Sequence, residues 1–265
     1  MSNYESLTLS IRAPGVMQIT MSRPDIFNAF DETMIAELDK AFAQCVADNG
    51  IRVIVLAGEG KHFSAGADLK WMQRASEASV EWNLDDARTF AGMLGRIDSC
   101  PKPVVARVQG VALGGGTGLV CACDIAIAAD NASFAVSEAK FGIIPAVISP
   151  YLLNAIGKRQ ARRLALTTAR IRADEAQDIS FVHQVATLDD LDEAIDHAVT
   201  ELLAGGPNAQ SEIKALFAQM EVGPVTDEVR ELTAQAISRI RGTDEAREGF
   251  AAFLGKRPAN WIPEE

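Results

Sequence analysis

Val104-Val105-Ala106-Arg107-Val108, then Gly110-Val111-Ala112-Leu113-Gly114-Gly115-Gly116-Thr117-Gly118, then Ile125-Ala126-Ile127-Ala128 follow one another with short gaps. The outer two are short apolar runs of the kind buried strands show. The glycines between them form a turn that opens a short helix through Leu119. Upstream the same order appears again: Val53-Ile54-Val55-Leu56 is a buried-strand run, Gly58 and Gly60 mark a loop, and a helix is expected from about Glu81 to Ile97. Repetition of strand, turn and helix implies an α/β core.

Further out, Leu7 to Arg12 and Val16 to Thr20 alternate apolar and polar residues around Pro14-Gly15, a signal for two half-buried strands joined as a hairpin. Asp31 then precedes Met34, Leu38, Ala41, Phe42 and Cys45 at helical spacing, and Gly50 ends that amphipathic helix. Beyond Ser149 helical patterns dominate through Phe253, with one strand signal at Val182 to Val185.

The 265 residues suffice for one large core with an appendage. A net charge of −11 argues against a nucleic-acid partner or an anionic membrane surface, which call for clustered Lys and Arg. An anionic substrate would then need a local basic patch. The longest apolar stretch, Val111 to Cys123, contains four glycines and falls short of the roughly 20 residues of a membrane span. No signal segment is read at the start. Cys45, Cys100, Cys121 and Cys123 form no Cys-x-x-Cys pair, so the reading is a reduced, cytoplasmic setting. His62, His183 and His197 lack metal-ligand spacing, so no metal is expected.

Three segments bear on chemistry. Phe63-Ser64-Ala65-Gly66-Ala67-Asp68-Leu69-Lys70 puts small residues before a helix start, where backbone N–H groups are available to a negative atom. Its bland reading is a tight turn with Asp68 as the helix N-cap. The glycine turn at 114–116 fails the dinucleotide fingerprint, because Leu119 stands where the third glycine should, and no Gly-Lys-Ser/Thr follows it. What remains suits an oxyanion. Ser133-Phe134-Ala135-Val136-Ser137-Glu138 ends on a glutamate that, alone, could be a salt-bridge partner of Lys140. No Gly-x-Ser-x-Gly elbow is present, which argues against an acyl-enzyme. Trp71, Met72 and Trp82 read as core before ligand wall.

In this order and separation the three segments resemble the crotonase (enoyl-CoA hydratase/isomerase) superfamily. Ser22-Arg23-Pro24, Asn28-Ala29-Phe30, Pro101-Lys102-Pro103, Cys123-Asp124 and Phe253-Leu254-Gly255-Lys256-Arg257-Pro258 extend the likeness over essentially the whole chain. The resemblance implies a spiral of ββα repeats over residues 1–195 and a C-terminal helical oligomerisation region over 196–265, giving a homotrimer or homohexamer. It implies an acyl-CoA thioester substrate, an oxyanion hole from the N–H groups of Ala67 and Gly115, and Glu138 as general acid/base. It also implies CoA contacts from Ala65, Ala67, Asp68, Leu69, Lys70 and Gly115, and from Lys256 of a neighbouring subunit; for each lysine the plain alternative is a solvated side chain.

One departure stands out. Standard hydratases of this family carry a second glutamate where this chain has Gly118, and glycines after the proline where it reads Ala146-Val147-Ile148-Ser149-Pro150-Tyr151. That pattern is similar to the methylglutaconyl-CoA and isohexenylglutaconyl-CoA hydratase-like branch of leucine and terpenoid breakdown. A substrate carboxylate would then call for a cation, and Arg159, Arg162 and Arg163 are nearby in sequence. One carboxylate also suffices for a Δ3,Δ2-enoyl-CoA isomerase, and the missing glutamate leaves open a non-catalytic acyl-CoA-binding protein.

Overall fold

The computed structural model describes residues 4–263. The hairpin forms as read, β1 (Leu7–Ala13) antiparallel to β2 (Val16–Met21). Asp31 caps α1 (Glu32–Ala47) by accepting from Met34 N at 3.1 Å, and the whole apolar stripe of that helix is buried. Then come β3 (Val53–Gly58), α2 (Leu69–Glu77), α3 (Val80–Asp98), β4 (Val104–Val108), β5 (Val111–Leu113), α4 (Gly115–Ala122), β6 (Ile125–Ala129) and β7 (Ser133–Ala135). The C-terminal part holds α5 (Ser149–Thr167), β8 (Ile171–Arg172), α6 (Ala173–Asp178), β9 (Gln184–Ala186) and α7 (Leu191–Ala204), followed by α8 (Pro207–Phe217), α9 (Asp227–Arg241) and α10 (Asp244–Leu254).

Six strands form the main sheet in the order β1-β2-β3-β4-β6-β9, parallel from β2 onward. Every residue of β3 is buried, because the sheet is covered on both faces. Alternation divides the work: Ile54 and Leu56 join the larger core with α1, α3, α4 and α5, while Val53 and Val55 meet Leu191, Ile195, Ala198 and Val199 of α7. The division expected between residues 195 and 196 thus falls inside a helix that packs on the sheet. Among the described residues no helix is long and apolar enough to cross a membrane.

A second, three-stranded sheet, β5-β7-β8, stands apart from the first. Its strands are three residues long or shorter, too brief for periodicity to reveal β8 at all. The strand read at Val182 to Val185 forms only from Gln184, since Phe181 and Val182 turn into the core instead. A parallel bridge between Ser64 and Ala112 ties the loop after β3 to this small sheet. That bridge brings two of the three chemical segments side by side.

The cysteines behave as small hydrophobes. Burial pushes the Cys45 thiol up to about 11 and that of Cys121 to about 12, so both stay protonated. His62 and His183 serve the backbone, their Nδ1 atoms accepting from Val111 N and Ala126 N.

Candidate active site

The first wall of the site is backbone. Phe27 and Asn28 both take the left-handed conformation, which asparagine tolerates better than most residues. Asn28 is fully buried: its Nδ2 donates to Glu59 O at 2.9 Å and His62 O at 2.8 Å, and its Oδ1 accepts from Arg23 N. Ser64 Oγ donates to Asn28 O and accepts from Gly66 N at 3.1 Å. Gly66 (φ +85°) has no room for a side chain; a Cβ would run into Leu113 O and stand 3.3 Å from Gly115 N. This network fixes the turn that carries Ala67.

Ala67 pairs with Phe30 through its neighbours only. Phe30 N donates to Gly66 O and Asp68 N to Phe30 O, which leaves the Ala67 N–H without a protein acceptor among the described residues. Asp68 accepts from Lys70 N and Trp71 N as the cap of α2, the structural role read for it, and also pairs with Arg23. Arg23 reaches Asp31 and Ala29 O as well. It therefore clamps the two loops that border the site, a role its place in the sequence did not reveal.

The glycine turn supplies the second amide. Gly114 adopts φ +50°, ψ −122°, a conformation reserved for glycine, with its N–H donated to Ala135 O at 2.8 Å. Gly115 is the first residue of α4, and its N–H likewise has no protein acceptor among the described residues. A Cβ on Gly115 would overlap the Phe30 ring and meet Phe90 at 3.1 Å. Two free amides, one at a helix N-terminus, thus flank Gly66 on adjacent segments, an arrangement suited to negative charge on oxygen.

Glu138 faces them. A Cβ on Gly114 would be 3.3 Å from Glu138 Oε1, so the carboxylate approaches the glycine turn directly. Its Oε2 is buried without a hydrogen-bond partner, and no ion pair with Lys140 forms. Desolvation pushes the Glu138 carboxyl above the ordinary value of 4.5, offset in part by the N–H groups of Glu138 and Ser137. A half-buried acid with one oxygen unsatisfied is poised to exchange a proton.

A cavity of about 820 Å³ joins these parts, lined by Ala65, Ala67, Asp68, Leu69, Lys70, Gly115 and Glu138. All the expected site residues meet there except Lys256, which lies beyond the end of α10, exposed and away from this cavity. Arg159, Arg162 and Arg163 do not line it either, and Arg163 pairs with Glu175. Instead Lys140 and Arg170 do, and with Lys70 they have no carboxylate partner among the described residues. Isolated basic residues carry no sequence signal; antiparallel pairing of β7 and β8 is what brings Arg170 to the cavity. Met72 reaches the cavity, whereas Trp71 is core, packed near Phe30 and Phe90.

The enoyl-CoA hydratase/isomerase family model matches residues 12–264. The chain belongs to that family. A Rhizobium meliloti relative named "Probable enoyl-CoA hydratase" is 34% identical over 261 residues, 98% of each chain. Among solved structures, an enoyl-CoA hydratase from Shewanella pealeana superposes with a TM-score of 0.93 at 40% identity, covering 97% of this chain and 96% of its own. Pseudomonas aeruginosa AtuE gives 0.92 at 37% identity, covering 98% and 100%. The architecture is accordingly the crotonase fold, and the protein is an enoyl-CoA hydratase or isomerase.

The bridge between Ser64 and Ala112 holds the loop after β3 beside the turn that opens α4. Gly118, one turn into α4, is buried and carries no ionisable group, whereas the carboxylate of Glu138 does approach the glycine turn.

Proposed function

We propose that the chain adds water to a 2-enoyl-CoA thioester, with the amides of Ala67 and Gly115 as oxyanion hole and Glu138 as general acid/base. The observation that carries this reading is the pair of unclaimed N–H groups on adjacent segments, facing one half-buried glutamate across the Gly114 turn. Attack of water on C3 pushes charge onto the thioester oxygen, where two fixed donors stabilise it. One such donor typically supplies about 2.7–4 kcal/mol. Glu138 takes a proton from the attacking water and returns one to C2 on the same face. These transfers require no cofactor beyond the CoA of the substrate.

Lys70, Lys140 and Arg170 give an acidic protein its local positive patch, suited to CoA phosphates or to a carboxylate on a glutaconyl-type acyl group. Exposed Phe217, Ile237, Phe250, Phe253 and Leu254 on the C-terminal helices support assembly into a trimer or hexamer, in which Lys256 of one subunit would serve another's CoA. Light scattering reads the assembly.

A second reading is favoured by Gly118. With one carboxylate, proton shuttling from C2 to C4 also fits, as in a Δ3,Δ2-enoyl-CoA isomerase. Incubation with crotonyl-CoA, 3-methylglutaconyl-CoA and a 3-enoyl-CoA separates them. Loss of conjugated-enoyl absorbance with a hydroxyacyl product supports hydration; consumption of the 3-enoyl thioester alone, giving a conjugated product, replaces it with isomerisation.

A further inference from the structure

Gly118 does not leave a gap. A Cβ built there would overlap Cγ2 of Ile148, come within 2.9 Å of Ile148 Cβ and stand 3.6 Å from Leu94 Cδ1. Ile148 is 2% exposed and sits at the start of α5, where its carbonyl accepts from Leu152 N at 3.1 Å. Its branch is therefore held by a helix end as well as by packing. Gly118 lies about one turn and ~6 Å beyond Gly114, on the face of α4 that Gly114 and Gly115 begin. That is the turn Glu138 Oε1 approaches.

We propose that Ile148 is the positioning residue that holds this site to a single carboxylate: its side chain fills the place through which any side chain at 118 would enter. The inference rests on the reading above that Glu138 moves the protons. Hydrocarbon stands where a second acid would share them, so Glu138 titrates without a like-charged neighbour. Positions 118 and 148 are then one unit, and a carboxylate returns at 118 only if Ile148 is removed with it. Alanine at 148 is not enough, because its Cβ would remain 2.9 Å from the new one; glycine clears both carbons.

The test compares wild type, Gly118→Glu, Ile148→Gly and the double variant by thermal unfolding and by the pH dependence of kcat/KM on the substrate found active. Overpacking should lower the Tm of Gly118→Glu by about 5–10 °C. The double variant should lose less than the sum of the losses in Gly118→Glu and Ile148→Gly, since the two changes couple through one contact. It should also show a second carboxylate ionisation in its rate profile, and a steeper fall in Tm as pH rises, because two neighbouring carboxylates resist joint ionisation. If Gly118→Glu cannot be purified, Gly118→Ala with and without Ile148→Gly makes the same stability comparison. A wild-type Tm for the single variant at 118, or losses that simply add in the double variant, overturns the steric claim. An unchanged titration in the double variant overturns the role in isolating Glu138. Thermal measurements need no turnover, so a chain that hydrates nothing refutes the hydratase reading without touching this result.

Discussion

The two walls of the cavity are built on opposite principles. The amide wall uses no catalytic side chain: its N–H groups are held by Asn28, Ser64 and Gly66 beneath Ala67, and by the Gly114 turn before Gly115. Each support is itself hydrogen-bonded, so the wall is over-determined. The carboxylate wall is one side chain with an orphaned oxygen. Rigidity belongs where charge must be met at a fixed point, and incomplete solvation where a proton must come and go. The comparison says where each wall is vulnerable: the carboxylate to direct replacement, the amides only to changes in backbone.

Glu138→Gln is the most damaging change. It keeps shape and removes the transferable proton, so turnover should fall by about 10²–10⁴-fold. Binding of a non-reactive acyl-CoA analogue, followed by calorimetry, should persist. Retained turnover would move the acid/base role to another group and leave the carboxylate wall without function.

On the amide wall the corresponding attack is Ala67→Pro. The Ala67 N–H serves no bond of the fold among the described residues, so its removal deletes the proposed donor to substrate and no structural one. Loss of one oxyanion donor should cost about 10²–10³-fold in kcat, with KM moving far less. Circular dichroism and Tm close to wild type would show that the fold survives. An equal loss confined to KM would mean that this amide grips the ground state and not the developing charge.

The walls also differed in how far the sequence disclosed them. The glycine turn, the small residues around Gly66 and the helix starts were legible, because each backbone demand selects a narrow residue class. Strand β3 was legible as an apolar run before loop glycines, and the hairpin and the α1 stripe from their periods. What stayed hidden depended on tertiary position: Arg170 reaches the cavity through a two-residue strand, Arg23 works by pairing across loops, and Ile148 matters only because Gly118 lies beneath it. A glycine at 118 announces a missing carboxylate; it does not announce what replaced it.

Asn28→Ala probes the support of the amide wall. It removes three hydrogen bonds from a fully buried site and strands the carbonyls of Glu59 and His62. At about 1 kcal/mol per bond, stability should fall by about 2–3 kcal/mol, measured by urea unfolding. If the support is specific, kcat should drop more than KM rises. A loss of stability with unchanged kcat would show that Ala67 is positioned by the remaining contacts.

The smallest effect concerns the carboxylate wall at equilibrium. The Glu138 carboxyl is raised above 4.5 chiefly by desolvation, so the folded state prefers its neutral form. Its contribution to stability is present in full below the unfolded value near 4.5 and is lost as pH climbs through the raised folded value. Glutamine stays neutral throughout, so the Tm of Glu138→Gln relative to wild type should increase from pH 4 to pH 8 instead of staying level. The N–H groups of Glu138 and Ser137 stabilise the anion and keep the difference modest. A flat difference across that range would mean that the carboxylate is well solvated in the folded protein. The catalytic acid limb would then lie at the pH of an ordinary glutamate, and the contrast between a rigid wall and a proton-hungry one would lose its physical basis.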